Sequence, residues 1–492
     1  MLEPSLSKYE KILFFGIINL TLIFIIVGVF PLDVTNAERF GTNFFIIDFY
    51  FYLCVVVLGL FLMIPFIGKT QAEKEVNIPR LILYVLILKM CITLFCEFAD
   101  TYFQYPIPIF FAGQYDFQYG YQYVQCFLHG KVCQVLVGDQ MVNGYYPPGV
   151  AFIYMFLTTL NPAESEVLYR FYMLFFEAGT YYLIYIIAKL PKLHITEKLR
   201  TKGIIYAFFA PPFLTAVDFF GKYDALIVFL TLLGIYYYLT GRPNMSALIW
   251  TFCALAKLYT ILWIFGVLIH HLKKRRYTEF IRYALVCFLT GSVILGIAAI
   301  FEGFRFFQML LQFGFQIQGA YPLYIMNVWF FLVYIGLPGT NLIPYILLFV
   351  SFIYFVYKWK GELTPDFFMR VTAITLFFYP SVNSEYLQWV MPMICITMLD
   401  SPKKVQVLAA LEIAAIFAEQ SLNFYCIYTG ISIPIMLDPA VLPSLLPVIW
   451  RFLNLGLFLL ILAILVVPER FSKYFPKMEY ANLTPTEAKT IS

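Results

Sequence analysis

The chain has 492 residues, of which 62% are hydrophobic and 13% charged, with a mean hydropathy of +0.80 and a formal net charge of +4. A soluble domain carries about 25% charged residues and about 45–50% apolar ones, so no water-soluble fold of this size could hide so much apolar surface. The small, dispersed charge gives no basis for nucleic-acid binding, and the absence of CxxC and HExxH spacings removes the usual zinc patterns.

The apolar runs are continuous and lack the alternation of a barrel strand, which predicts an all-α polytopic transmembrane bundle of about 12–14 membrane helices. The first two, near 11–30 and 44–67, form an N-terminal pair within residues 1–80. The first follows Lys8 and Lys11 and has no small-residue cleavage site, so it reads as a retained span. A core over 81–400 comes next, with apolar runs near 81–98, 166–189, 204–217, 224–241, 280–300, 340–358, 367–383 and 387–400. Within it, 244–256 and 258–271 read as two half-helices meeting at Lys257, because irregular backbone at membrane depth is tolerated only inside protein or along a cavity. Further spans at 405–422 and 444–467 lie in the C-terminal part, 401–470, and a cytoplasmic tail occupies 471–492.

Orientation follows from Lys and Arg in the short loops. Clusters at Lys69/Lys74/Arg80, Lys189/Lys192/Lys198/Arg200/Lys202, Lys273/Lys274/Arg275/Arg276, Lys358/Lys360 and Lys403/Lys404 are all expected in the cytoplasm, as is the N-terminus. Segments near 31–43, 99–165, 302–328 and 423–442, poor in Lys and Arg, then face outward. The longest, 99–165, is an outer loop ending in the apolar stretch Val150–Leu160. Counting that stretch as a span would invert the Lys189–Lys202 cluster, so it is expected to be an interfacial helix. His194, His270 and His271 are expected in cytoplasmic loops, and Cys126 and Cys133 in the outer loop stand as either a pair or free thiols.

Four positions draw attention as chemistry. Asp116 sits among Tyr115, Tyr119, Tyr121 and Tyr123, where it is either a general base or an interfacial residue of an aromatic belt. Asp224 begins a span, facing a cavity or snorkelling to headgroups. Lys257 interrupts an apolar run, where a cation binds a lipid-linked phosphate or reaches the headgroup layer. Asn327, within Gln316–Trp329, lines a sugar groove or belongs to an interfacial belt.

The order Asp116…Tyr119…Gly130…Tyr146-Pro147-Pro148, then Gly221-Lys-Tyr-Asp224, then Gly241-Arg242…Ala254-Leu-Ala-Lys257-Leu-Tyr, resembles the GT-C-fold glycosyltransferases. The similarity points to their polyprenol-phosphate-mannose-dependent mannosyltransferase branch, which includes bacterial α-mannosyltransferases and the enzyme adding the first mannose of GPI anchors. Ser384-Glu-Tyr-Leu-Gln-Trp-Val-Met-Pro392 resembles a further segment of that family, with Glu385 where Gln is usual. The resemblance covers roughly 81–400. It implies an essential acid at Asp116, donor-phosphate binding at Lys257, and substrate contacts from Asp224, Tyr119, Tyr146, Asn327, Glu385 and Gln388.

The implied reaction is inverting transfer of a hexose, mannose first, from a polyprenyl-phosphate sugar to a lipid or glycan acceptor on the outer or lumenal face. A prokaryotic plasma membrane is expected in preference to an endoplasmic reticulum. No cofactor is expected: Asp116-Phe-Gln lacks the second carboxylate of a D-x-D pattern, so a divalent metal would be short of oxygen ligands. A transporter or flippase of lipid-linked saccharides is the alternative, supported by the broken helix and the mid-span Lys89, with a polysaccharide polymerase as another.

Overall fold

The computed structural model describes residues 77–103, 120–122, 124, 128, 134–137, 140–143, 148–161, 165–213, 222–257, 259–302, 342–379, 384–397, 407–408, 411–412, 445–467 and 470. The two N-terminal spans, the span at 405–422 apart from a few residues, and the tail lie outside these.

Among the described residues the architecture is helical apart from one small hairpin. Helix α1, Ile78–Phe103, runs past the outer boundary expected near residue 98 and takes Asp100 into its last turn. Strands β1, Gln134–Val137, and β2, Gln140–Asn143, pair antiparallel with Val135 opposite Val142. The hairpin is a small local addition to an all-helical architecture, which agrees with the all-α expectation. Gly138-Asp139 between the strands is the kind of dipeptide that joins hairpins, a cue that counting apolar residues passes over.

Helix α2, Pro148–Leu160, is the stretch expected at the interface. One face, carrying Val150, Ile153, Tyr154 and Leu157, is buried by protein, while Phe156 is exposed. Asn161 clasps the connection to the next helix: its amide nitrogen donates to the Ser165 carbonyl at 2.7 Å, and the Ser165 N–H donates to its amide oxygen at 3.0 Å. Ser165 then caps α3, Glu166–Ala188, by accepting from the Leu168 N–H.

Helix α4, Glu197–Phe209, begins earlier than the run at 204–217 and places Lys198, Arg200 and Lys202 on its first turns instead of in a loop. Pro211 and Pro212 follow, and the helix ends at Ala210, as expected of residues preceding proline. Helix α5, Asp224–Leu239, ends in a Schellman turn: the Arg242 N–H donates to the Tyr237 carbonyl and the Gly241 N–H to that of Tyr238. Gly241 takes φ +80°, which a glycine adopts without strain. Pro243 opens α6, Pro243–Ala256, at the first helical position, where its missing N–H is no loss.

After the break at Lys257 come α7, Thr260–Lys273, and α8, Tyr277–Glu302. His270 and His271 are buried in the last turn of α7, which corrects their assignment to a loop. Helices α9, Leu342–Lys358, and α10, Pro365–Phe378, are followed by a 3-10 turn at Ser384–Trp389 and the short α11, Met391–Thr397. The run at 387–400 is therefore no continuous span. Helix α12, Leu445–Val466, is the last among the described residues.

Helices α5 and α6 pack side by side, with α3 against α5, α1 against α3 and α8 against α6. Their shared core is aromatic: Trp250 lies edge-on to Trp263 at 5.5 Å, and Phe368 of α10 closes on both. The indoles are satisfied, Trp250 by the Thr231 carbonyl and Trp263 by the Thr372 hydroxyl, each at 3.0 Å. Lys273 caps α9 in trans, donating to the carbonyls of Val356, Tyr357 and Trp359 at 2.8–2.9 Å, groups that the helix end leaves without partners.

Among the described residues, two helices, Val167–Ala188 and Tyr277–Phe301, are long and apolar enough to cross a membrane. The second keeps large apolar side chains outward, with Phe288 69% and Ile300 81% exposed. In water such a face would be unfavourable; against lipid it is not.

Candidate functional site at the Lys257 helix break

Neither glycine nor proline stands near Lys257 in sequence, yet its backbone turns extended (φ −143°, ψ 115°) and ends α6. The Lys257 N–H still donates to the Cys253 carbonyl at 2.7 Å, while the Thr260 hydroxyl lies 3.4 Å from the Lys257 carbonyl. Both backbone groups of Lys257 thus have partners, and its side chain is directed by what surrounds it.

The Lys257 ammonium lies 3.3 Å from Asp224 Oδ2, with the lysine side chain 17% exposed and the aspartate 1%. This contact lacks hydrogen-bond geometry, and Oδ2 has no hydrogen-bond donor among the described residues. The other oxygen, Oδ1, accepts from Trp389 Nε1 at 2.8 Å. Asp224 opens α5, where the helix dipole favours a negative charge. A buried carboxylate is thereby held by an indole N–H, a helix terminus and one cation.

Aromatic rings box the ammonium. It lies 4.9 Å from the Tyr223 centroid, 5.1 Å from Tyr386 and 5.6 Å from Trp389, all within cation–π range. Trp389 is itself the middle of a stack, with Tyr259 and Tyr386 each 4.3 Å away. Tyr259 is anchored from below by the Thr231 hydroxyl at 3.3 Å. Beside this stack Gln388 is fully buried, and neither its amide oxygen nor its nitrogen has a hydrogen-bond partner among the described residues. A buried amide normally has partners, and this one has none among the described residues.

No protein-family model matches this chain, and no curated protein matches it.

Of the expected site residues, the structure brings Lys257 and Asp224 into direct contact, while Gln388 is the sequence neighbour of Trp389, whose indole donates to Asp224. Glu385 lies in the same 3-10 turn as Gln388. Asp116, Tyr119, Tyr146 and Asn327 lie outside the described residues. Gly120, next to Tyr119, and Tyr154 of α2 nevertheless connect to the site. Gly120 packs on Tyr154, whose ring meets Tyr223 edge-on at 5.7 Å, and Tyr223 underlies Lys257.

Sequence reading missed the role of Trp389, although the tryptophan stands in the segment that carries the resemblance. It also missed the partner of Lys89. That lysine is 3% exposed and meets Glu177 of α3 at 2.5 Å, and the Tyr181 hydroxyl donates to the same carboxylate. A lone cation in an apolar run was a signal that some acid must sit opposite, but nothing local says which.

Proposed function

We propose that the protein is a multi-pass membrane glycosyltransferase that moves a hexose, mannose first, from a polyprenyl-phosphate sugar to a lipid or glycan acceptor. The reaction occurs on the outer or lumenal face, in a prokaryotic plasma membrane in preference to an endoplasmic reticulum. The observation that carries this reading is the Lys257–Asp224 pair, a partly exposed cation on a buried carboxylate, at a helix break inside an aromatic box.

In the proposed reaction the Asp116 carboxylate takes the proton of an acceptor hydroxyl. The freed oxygen attacks the anomeric carbon, and the carbon–oxygen bond to phosphate breaks with its electron pair leaving on the polyprenyl phosphate. Lys257 offers positive charge where the phosphate gains negative charge, which lowers the barrier more in a dry site than in water. The ring of Tyr386, at the end of the stack on Trp389, is the type of surface on which sugars stack. Asp224, Gln388, Glu385, Tyr119, Tyr146 and Asn327 would contact donor or acceptor. No divalent ion takes part, on the ground that Asp116-Phe-Gln carries one carboxylate.

The test is incubation of purified protein with radiolabelled polyprenyl-phosphate mannose and membrane lipid, with and without EDTA. Labelled product in both, absent with Asp116→Asn, is expected. No product from any polyprenyl-phosphate hexose would overturn the reading, and loss with EDTA restored by Mn²⁺ would overturn the metal-free mechanism.

The buried Lys89–Glu177 pair favours the transporter alternative, because paired charges at membrane depth also mark transport pathways. Movement of an intact lipid-linked saccharide across vesicles, without a new glycosidic bond, would establish it.

A further inference from the structure

Helix α10 packs against both α9 and α12, and between these two lies a cleft of about 530 Å³. That is the size of a pocket for a small molecule or part of a lipid. Its walls are apolar along most of their length, with Ile374 and Phe377 from α10 and Leu462 and Ala463 from α12. Ala463 leaves room where a larger side chain would fill the gap.

Charge gathers at one end, where α9 and α12 terminate. Lys358, the last residue of α9, and Arg370 of α10 line this mouth together with Trp359. Arg370 is partly committed: its Nε donates to Asp366 at 3.1 Å and its Nη1 to the Val466 carbonyl at 3.3 Å. Lys358 is exposed, with its ammonium 5.7 Å from the Tyr354 ring centroid. With Asp366 counted against Arg370, Lys358 leaves the mouth positive.

We infer that this cleft is a binding site for an anionic membrane phospholipid, with an acyl chain along the α10–α12 wall and the headgroup phosphate at Lys358. An apolar trough open between helices excludes a soluble polar ligand, and a basic mouth selects an acidic headgroup over a zwitterionic one. The Lys358/Lys360 group is the end that loop charge places in the cytoplasm, the leaflet in which anionic lipids give a negative surface potential. The site rests on the membrane reading and is independent of the transfer chemistry.

The experiment is native mass spectrometry of the full chain released from detergent, titrated with phosphatidylglycerol or phosphatidylcholine. The parent should retain phosphatidylglycerol preferentially. Lys358→Gln should lower that preference about five-fold, the effect of one lysine beside an anionic headgroup. Ala463→Phe should remove the adduct by filling the trough. Equal retention of the two lipids by the parent, or an unchanged preference in Lys358→Gln, overturns the site. Lys358 is exposed, so its variant decides the matter even where Ala463→Phe fails to fold. A chain that stays soluble without detergent overturns the membrane reading, and the site with it.

Discussion

A Cβ on Gly149 would stand 2.7 Å from the backbone nitrogen of Ala256, so the start of α2 meets the end of α6 backbone to backbone. Lys257 is the next residue. The Pro148-Gly149 step is therefore the element that seats the start of α2 on the helix break.

This contact predicts that Gly149→Ala destabilises the protein. Alanine gains up to about 1 kcal/mol of helix propensity, but a backbone neighbour cannot swing away as a side chain could, and overpacking costs about 1–3 kcal/mol. Thermal unfolding in detergent should show a lower midpoint. Gly296→Ala in α8, with nothing within 4 Å of the added methyl, should leave the midpoint unchanged or raise it.

Trp389→Phe should keep the ring stack with Tyr259 and Tyr386 while removing the only N–H given to Asp224 Oδ1 among the described residues. Hydrogen bonds to charged groups are worth about 1.5–3 kcal/mol, so stability should fall by that order. A midpoint equal to the parent's would mean that Asp224 does not depend on the indole.

Lys89 and Glu177 should behave as one unit. Removing one member of a buried ion pair costs about 3–5 kcal/mol because the other is left uncompensated. Lys89→Met alone should therefore be severely destabilising, and Lys89→Met with Glu177→Gln should regain more than half of the loss. Additive losses in this double-mutant cycle would show that the pair is not coupled.

The turn between α9 and α10 supplies a pH dependence. Partial burial works to raise the Glu362 carboxyl, but a hydrogen bond from Lys274 and the charge of His270, both at 3.3 Å, outweigh it and hold it below its usual range. A carboxyl lowered on folding adds stability above its unfolded pKa and loses it as pH falls through the folded value. Glu362→Gln should thus lower the unfolding midpoint slightly at pH 7, and the difference should vanish in acid below the ordinary glutamate range. A difference that persists there would assign the effect to packing.

The proposed roles of Asp116 and Lys257 separate in paired assays. Asp116→Asn should bind donor as the parent does while losing about 10²–10⁴-fold in transfer rate, the contribution of a general base. Lys257→Met keeps the apolar stem but removes the charge, so donor affinity and rate should fall together. A Lys257→Met protein that binds and turns over like the parent would leave Lys257 only its pairing with Asp224.

The break at Lys257 could be read without coordinates, because a lysine inside two apolar half-helices has no inexpensive place in an unbroken one. Asp224 at the start of α5 was legible for the same reason. Their contact was not: residues 224, 257 and 389 are far apart in sequence, and no local pattern says that an indole closes on a carboxylate 165 positions away. The β1–β2 hairpin escaped because four-residue strands leave little periodicity beside long apolar runs.

Composition and hydropathy alone marked the chain as helical with long apolar segments, since transfer free energies add residue by residue and need no partner. Charge placement likewise marked which helix ends differ from one another. Only the tertiary structure decided which buried charges meet, that α2 presses its glycine onto α6, and that Lys257 is enclosed by Tyr223, Tyr386 and Trp389. Those are pairwise contacts between distant positions, and they arise from how helices pack, not from what any one helix contains.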